Sequence, residues 1–109
     1  MKIKKITDIG TLDEVLKKPE SILFKNSTRC PVSSYARKEF EKFAEQKNVK
    51  IDLFMIEVVE NSDVSMEFAG KTEIKHESPQ VCYMKNGNVL WHESHMSITC
   101  DRLNELVKK

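Results

Sequence analysis

Cysteine is scarce in this chain of 109 residues: there are three, at irregular spacing. Such a set makes no disulfide framework, and an odd count leaves at least one thiol free. The expected setting is therefore a reducing, cytoplasmic one in which any disulfide is transient. An excess of charge of either sign is missing too, since acids and bases nearly cancel to a formal +1. That balance, with no basic stripe carrying interleaved aromatics, argues against a nucleic-acid binder. Long apolar runs are absent, so no segment is expected to span a bilayer. The opening "MKIKKITDIG" has lysines but no apolar stretch behind them, unlike a signal peptide. Repeats and low-complexity tracts are lacking, and no linker rich in Pro, Gly or Ser divides the chain. One domain over residues 1–109, with a modest core, is the expectation.

What is present is an ordered set of periodic segments. "TLDEVLKK" places Thr11 and Glu14 in capping-box spacing before Pro19, which predicts a short helix. "SILFKN" has strand character and ends in turn residues. From Pro31, the apolar positions Val32, Tyr35, Ala36, Phe40, Phe43 and Ala44 recur at helical spacing over about four turns. "IDLFMIEV" is continuously apolar, the pattern of a strand covered on both faces. "SDVSMEFAGK" predicts a shorter helix stopped near Gly70. "QVCYMKNGNVLWHES" reads as a hairpin turning at Asn86-Gly87. "SITCDRLNELVKK" sets Thr99, Leu103, Leu106 and Val107 on one helical face, with basic residues at its end. A first strand at "KIKKIT" completes the series. Strands separated by helices pair in parallel through crossovers, and the hairpin adds antiparallel strands. The expected fold is α/β: a mixed central sheet with helices on both faces, the thioredoxin-like arrangement.

Within that frame "NSTRCPVSS" carries the chemistry. Pro31 suits a first helical turn, where the N–H it lacks would have no intrahelical partner. Cys30 is then the expected N-cap, its sulfur facing the free N–H groups of Val32 and Ser33. The helix N-terminus favours an anion, and a thiol of ordinary pKa about 8.5 becomes more acidic there. Arg29 and Lys25 add positive potential. The plainer alternative is a buried cysteine used as filler. Three positions after Cys30, where a dithiol enzyme would carry a second cysteine, stands Ser33. A hydroxyl there can donate a hydrogen bond to the Cys30 sulfur but cannot form a disulfide. One-thiol chemistry follows, with resolution by another thiol. Cys82, mid-strand, and Cys100, one or two turns into the last helix, both read as packing residues.

"HESPQVCYMKNG" is the second informative stretch. Pro79 opens a strand where thioredoxin-like folds carry a cis-proline facing the reactive cysteine, and proline tolerates cis at a cost of about 0.5–1 kcal/mol. The Ser78 backbone would then pair with an extended thiol substrate. The other reading is an ordinary proline at a strand start. His76 has two readings: a proton donor or binder of substrate carboxylates beside the thiolate, or an exposed loop histidine. His92 and His95 flank the turn after the hairpin, one of them a candidate cap for the last helix. The histidines and cysteines lack metal-ligand spacing, so no metal is expected.

"TRCPVSS", "HESPQVCYMKNGNVLW" and "SHMSIT" resemble, over nearly the whole chain, the YtxJ family of monothiol bacilliredoxin-like proteins of low-GC Gram-positive bacteria. The resemblance implies a thioredoxin fold, a cytosolic setting and a part in bacillithiol-dependent redox balance and the stress response. It assigns to Cys30 the attack on protein–bacillithiol mixed disulfides, maps the family's proline onto Pro79, and leaves Cys100 without a role. The expected catalytic pair is Cys30 and Ser33, with Thr28, Arg29, Pro31, His76, Ser78 and Pro79 contacting substrate. No cofactor is held; bacillithiol is the co-substrate, bacillithiolated proteins are the partners, and a monomer is expected. Two other functions stay open: a sensor or adaptor whose Cys30 is modified without turnover, and a glutaredoxin-like protein using another small thiol.

Overall fold

The computed structural model describes residues 3–29 and 31–107. Its elements run β1 (Ile3–Lys5), α1 (Ile9–Leu16), β2 (Glu20–Asn26), α2 (Pro31–Ala44), β3 (Asp52–Glu57), α3 (Ser62–Thr72), β4 (Gln80–Lys85), β5 (Asn88–Ser94), a 3₁₀ turn (His95–Ser97) and α4 (Cys100–Val107). The strands form one sheet in the order β1-β3-β2-β4-β5. β2 lies at its centre, parallel to β3 and antiparallel to β4. The expected mixed sheet of α/β type is what forms, helices covering both faces.

Alternation along β2 divides the core. Ile22 and Phe24 face one layer with Ala36, Phe40 and Phe43 of α2 and Leu103 of α4. The rings of Phe24 and Phe40 stack at 5.1 Å between centroids. Leu23 points the other way, into a layer with Leu12 and Val15 of α1 and Val64 and Phe68 of α3. Two-residue periodicity therefore sends Lys25 into that second layer, under α3. β3 is buried from Leu53 to Glu57, as its unbroken apolar run predicts.

Several boundaries differ from the sequence reading, each for a local reason. α1 begins at Ile9, and its cap is Asp8: the carboxylate accepts from the Thr11 backbone N–H at 2.7 Å and from Thr11 Oγ1 at 3.1 Å. Thr11 is thus the third helical residue, not the cap. α3 runs through Gly70 and stops at Glu73, which takes the left-handed conformation at φ 60°. α4 starts at Cys100, capped by Thr99, whose Oγ1 accepts from the Arg102 N–H at 3.1 Å. Cys100 is therefore the first helical residue, and neither His92 nor His95 caps this helix. The hairpin turns at Asn86-Gly87 with φ 53° and 81°, the left-handed pair that a two-residue turn needs. A Cβ on Gly87 would come within 2.7 Å of the Leu16 carbonyl oxygen, so this turn also closes against the end of α1.

Candidate active site

The antiparallel register of β2 and β4 brings two distant loops together. Lys25 pairs with Gln80, so the turn that follows Asn26 and the segment that precedes Gln80 share one end of the sheet. The first carries Thr28 and Arg29, both exposed; the Arg29 N–H donates to Ser27 Oγ at 3.3 Å. Pro31, exposed, opens α2 directly after it. The second carries His76, Ser78 and the buried Pro79, and the Ser78–Pro79 peptide is cis. The stretch with Thr28, Arg29 and Pro31 and the segment with His76, Ser78 and Pro79 thus lie at the same end of the β2–β4 pair. Cys30, the expected nucleophile, lies outside the described residues.

Ser33 sits one turn into α2, fully buried, its Oγ without a hydrogen-bond partner among the described residues. Ser78 Oγ is buried and unpartnered in the same sense. Unpaired buried hydroxyls are unusual and mark places where a further group completes the structure. The two described thiols are free but differ from a reactive one. Cys82 is wholly buried in β4, opposite Leu23, and burial pushes its pKa up to about 12. Cys100 is buried too, and burial again raises its pKa; its Sγ accepts from Gln46 Nε2 at 3.0 Å and from Asn104 Nδ2 at 3.7 Å. Packing is what both do.

Lys25, expected to add positive potential beside Cys30, turns inward under α3. Its side chain is completely buried. Nζ donates to the Ser65 carbonyl at 3.2 Å and meets His76 Nδ1 at 3.0 Å, while lying 5.2 Å from the Phe68 ring centroid. Ser65 Oγ reaches the same His76 nitrogen at 3.2 Å. Loss of hydration lowers the Lys25 pKa to about 8, against a small opposing effect of Cys82. His76 is half-buried, and desolvation and the adjacent Lys25 charge hold its pKa below 6.5. His76 is therefore held by Lys25 and Ser65 rather than loose in solvent. Its outer side borders an open groove of about 470 Å³ with Met66, Ala69 and Ile74. A separate cavity of about 230 Å³, bordered by Glu20, Phe43 and Val107, lies by the opposite end of β2.

The sheet, the helix opening at Pro31 and the cis-proline beside it define an oxidoreductase of the thioredoxin fold. One solved chain, described as a proposed oxidoreductase with a thioredoxin fold, is 31% identical, with TM-score 0.86, 94% of this chain and 91% of that one being covered. Thioredoxins from Malassezia sympodialis (16% identity, TM-score 0.79) and Halobacterium salinarum (16%, 0.77) share the fold, each alignment covering 97% of this chain and 88% of theirs. The chain belongs to the monothiol bacilliredoxin BrxC family, whose model matches residues 2–103. No helix among the described residues is long and apolar enough to cross a membrane.

Proposed function

We propose that the protein is a monothiol disulfide oxidoreductase that removes bacillithiol from protein mixed disulfides. Cys30 thiolate attacks the bacillithiol sulfur; the S–S bond breaks, the protein thiolate departs with the electron pair, and Cys30 keeps the bacillithiol in a new mixed disulfide. Free bacillithiol then attacks that disulfide, releasing Cys30 and forming oxidised bacillithiol. Thr28, Arg29 and Pro31 on one side, and His76, Ser78 and Pro79 on the other, flank the substrate, the Ser78 backbone pairing with its extended chain. Ser33 Oγ hydrogen-bonds the Cys30 sulfur. In this reading residues 1–109 work as one domain, a cytoplasmic monomer without bound cofactor, with bacillithiol as co-substrate.

The observation that carries this reading is the state of the other thiols. Cys82 and Cys100 are buried with raised pKa values, and Ser33 holds the position of a resolving cysteine. Resolution therefore comes from solution, which fits the family to which the chain belongs. The test is to incubate a bacillithiolated protein with this one and follow both by intact mass. The adduct should move to Cys30, fail to move with Cys30→Ser, and move normally with Cys82→Ala. Adduct on Cys30 with the substrate protein never freed would leave a sensor in place of an enzyme. Equal transfer from a glutathionylated protein would remove the preference for bacillithiol.

A further inference from the structure

Among the described residues, Glu73, Asn86 and His95 take the left-handed conformation without being glycine. Glu73 ends α3 and Asn86 sits in the hairpin turn, so local structure accounts for both. His95, at φ 57°, does neither. It follows β5 and opens the 3₁₀ turn, and it is exposed. A conformation that costs an L-residue free energy, at a position where the side chain is not packed away, calls for another account.

The account lies in the backbone. Ser94, still extended, is the last residue of β5 and pairs with Gln80. With His95 left-handed, its N–H donates to the Pro79 carbonyl at 3.0 Å. The Ile98 N–H closes the turn on the His95 carbonyl at 3.3 Å, and Ile98 is fully buried in the layer shared with α2. One residue back, Ser94 Oγ donates to Glu77 Oε2 at 2.7 Å. That bond, with the positive charges of His95, Lys75 and His92 adding to it, holds the Glu77 carboxyl below the usual carboxylate range. Gln80 Nε2 donates to the Lys75 carbonyl at 3.1 Å. Lys75, Glu77 and Pro79 are therefore each fastened to β4 or to the end of β5 and the turn after it. Ser78 lies between the last two, and its backbone N–H and C=O have no partner among the described residues.

We propose that His95 and Glu77 are positioning residues that clasp the chain on either side of Ser78 and hold its backbone ready for the extended chain of the substrate. The inference rests on the disulfide-exchange reading and adds which residues set the pairing edge. Such an edge binds well only when its donor and acceptor are already in place, because ordering a loop on binding costs free energy. The strain at His95 is taken up in the free protein, before substrate arrives. Loss of the clasp weakens pairing with substrate and leaves the thiol chemistry of Cys30 as it was.

His95→Val keeps the backbone N–H, but its branched side chain disfavours a positive φ, which His95→Gly adopts freely. In the adduct-transfer assay, His95→Val should raise KM for the bacillithiolated protein about fivefold, the scale of one hydrogen bond, with kcat unchanged. His95→Gly should restore the wild-type KM, which assigns the effect to conformation and not to the imidazole. Alkylation of Cys30 by iodoacetamide should keep its wild-type rate in both variants, whereas a general loosening of the fold would change it. Amide hydrogen exchange needs no turnover: the His95 N–H should be protected in the wild type and in its absence of strain in His95→Gly, and should exchange as an open loop amide in His95→Val. Where His95→Val does not fold, Glu77→Ala takes its place with the same rise in KM, and Glu77→Gln, whose amide oxygen still accepts from Ser94, restores it. An unchanged KM in the folded variant, or an unprotected His95 amide in the wild type, overturns the inference while wild-type adduct transfer still supports the exchange reading. No adduct transfer in the wild type overturns the exchange reading and this inference with it.

Discussion

Replacing Lys25 by methionine should stabilise the protein at neutral pH, which is the reverse of the usual result for a buried hydrogen-bonded residue. The side chain is fully buried, and its pKa is lowered from 10.5 to about 8. Between these values the unfolded chain binds more protons than the folded one, so stability rises with pH across that window. Below about pH 8 the folded state carries the whole penalty; above about 10.5 it carries none. A shift of this size corresponds to roughly 3 kcal/mol at 1.36 kcal/mol per unit. Methionine is similar in length and carries no charge, and Ser65 Oγ still reaches His76 Nδ1. Urea unfolding of both proteins between about pH 7 and pH 10 gives the comparison. The advantage of Lys25→Met should shrink by roughly 2–3 kcal/mol across that range. Ionisation of Cys82 in the unfolded chain lowers the stability of both proteins alike and cancels in the difference. Parallel stability profiles for the two proteins would refute the reasoning, because they would mean that Lys25 keeps its ordinary pKa in the fold.

Other outcomes follow from burial and turn geometry. Alkylation near neutral pH, read by peptide mass spectrometry, should label Cys30 first and Cys82 only on unfolding, since burial pushes the Cys82 pKa to about 12 and leaves no surface for the reagent; equal early labelling of Cys82 would contradict the core described. Gly87→Ala should cost more than about 1 kcal/mol in chemical denaturation, because the φ of 81° is strained for alanine and its Cβ would press on the Leu16 carbonyl; a neutral result would mean that the hairpin and the end of α1 readily part. Ser33→Cys should give a form that frees substrate protein without added bacillithiol, because a thiol one turn into α2 replaces a hydroxyl that has no partner among the described residues. Mass and thiol counts after one turnover would show an internal disulfide, and a lasting adduct on Cys30 would show that position 33 is out of reach.

The strands were legible because their burial is written in composition. β3 and β4 are covered on both faces and read as unbroken apolar runs, while Asn86-Gly87 announced its turn by residue type alone. Caps were harder because two competent residues competed. Thr11 and Glu14 satisfied a capping box, yet Asp8, three residues earlier, holds the Thr11 N–H and starts the helix first. Nothing in the type of Glu73 signals the left-handed conformation that ends α3, whereas Gly70, the expected stop, is tolerated inside the helix. In the site, the placing of Thr28, Arg29 and Pro31 at the same end as His76, Ser78 and Pro79 followed from strand order once β2 and β4 were set side by side.

The burial of Lys25 was not legible, for a different reason. Alternation along β2 already sent its side chain toward α3, but lysine at a strand end is ordinarily a solvated charge. Its burial is decided by Ser65 and His76, which lie 40 and 51 positions along the chain and have no sequence signature that points back to it. Local patterning and tertiary burial disagree at this residue, and such disagreements concentrate where a site asks something of the fold that stability does not. Stability alone would favour an apolar side chain in the layer with Leu23 and Phe68. Lysine is kept there with its ammonium held by the Ser65 carbonyl and His76 Nδ1, so the layer accepts a cation whose pKa burial lowers to about 8.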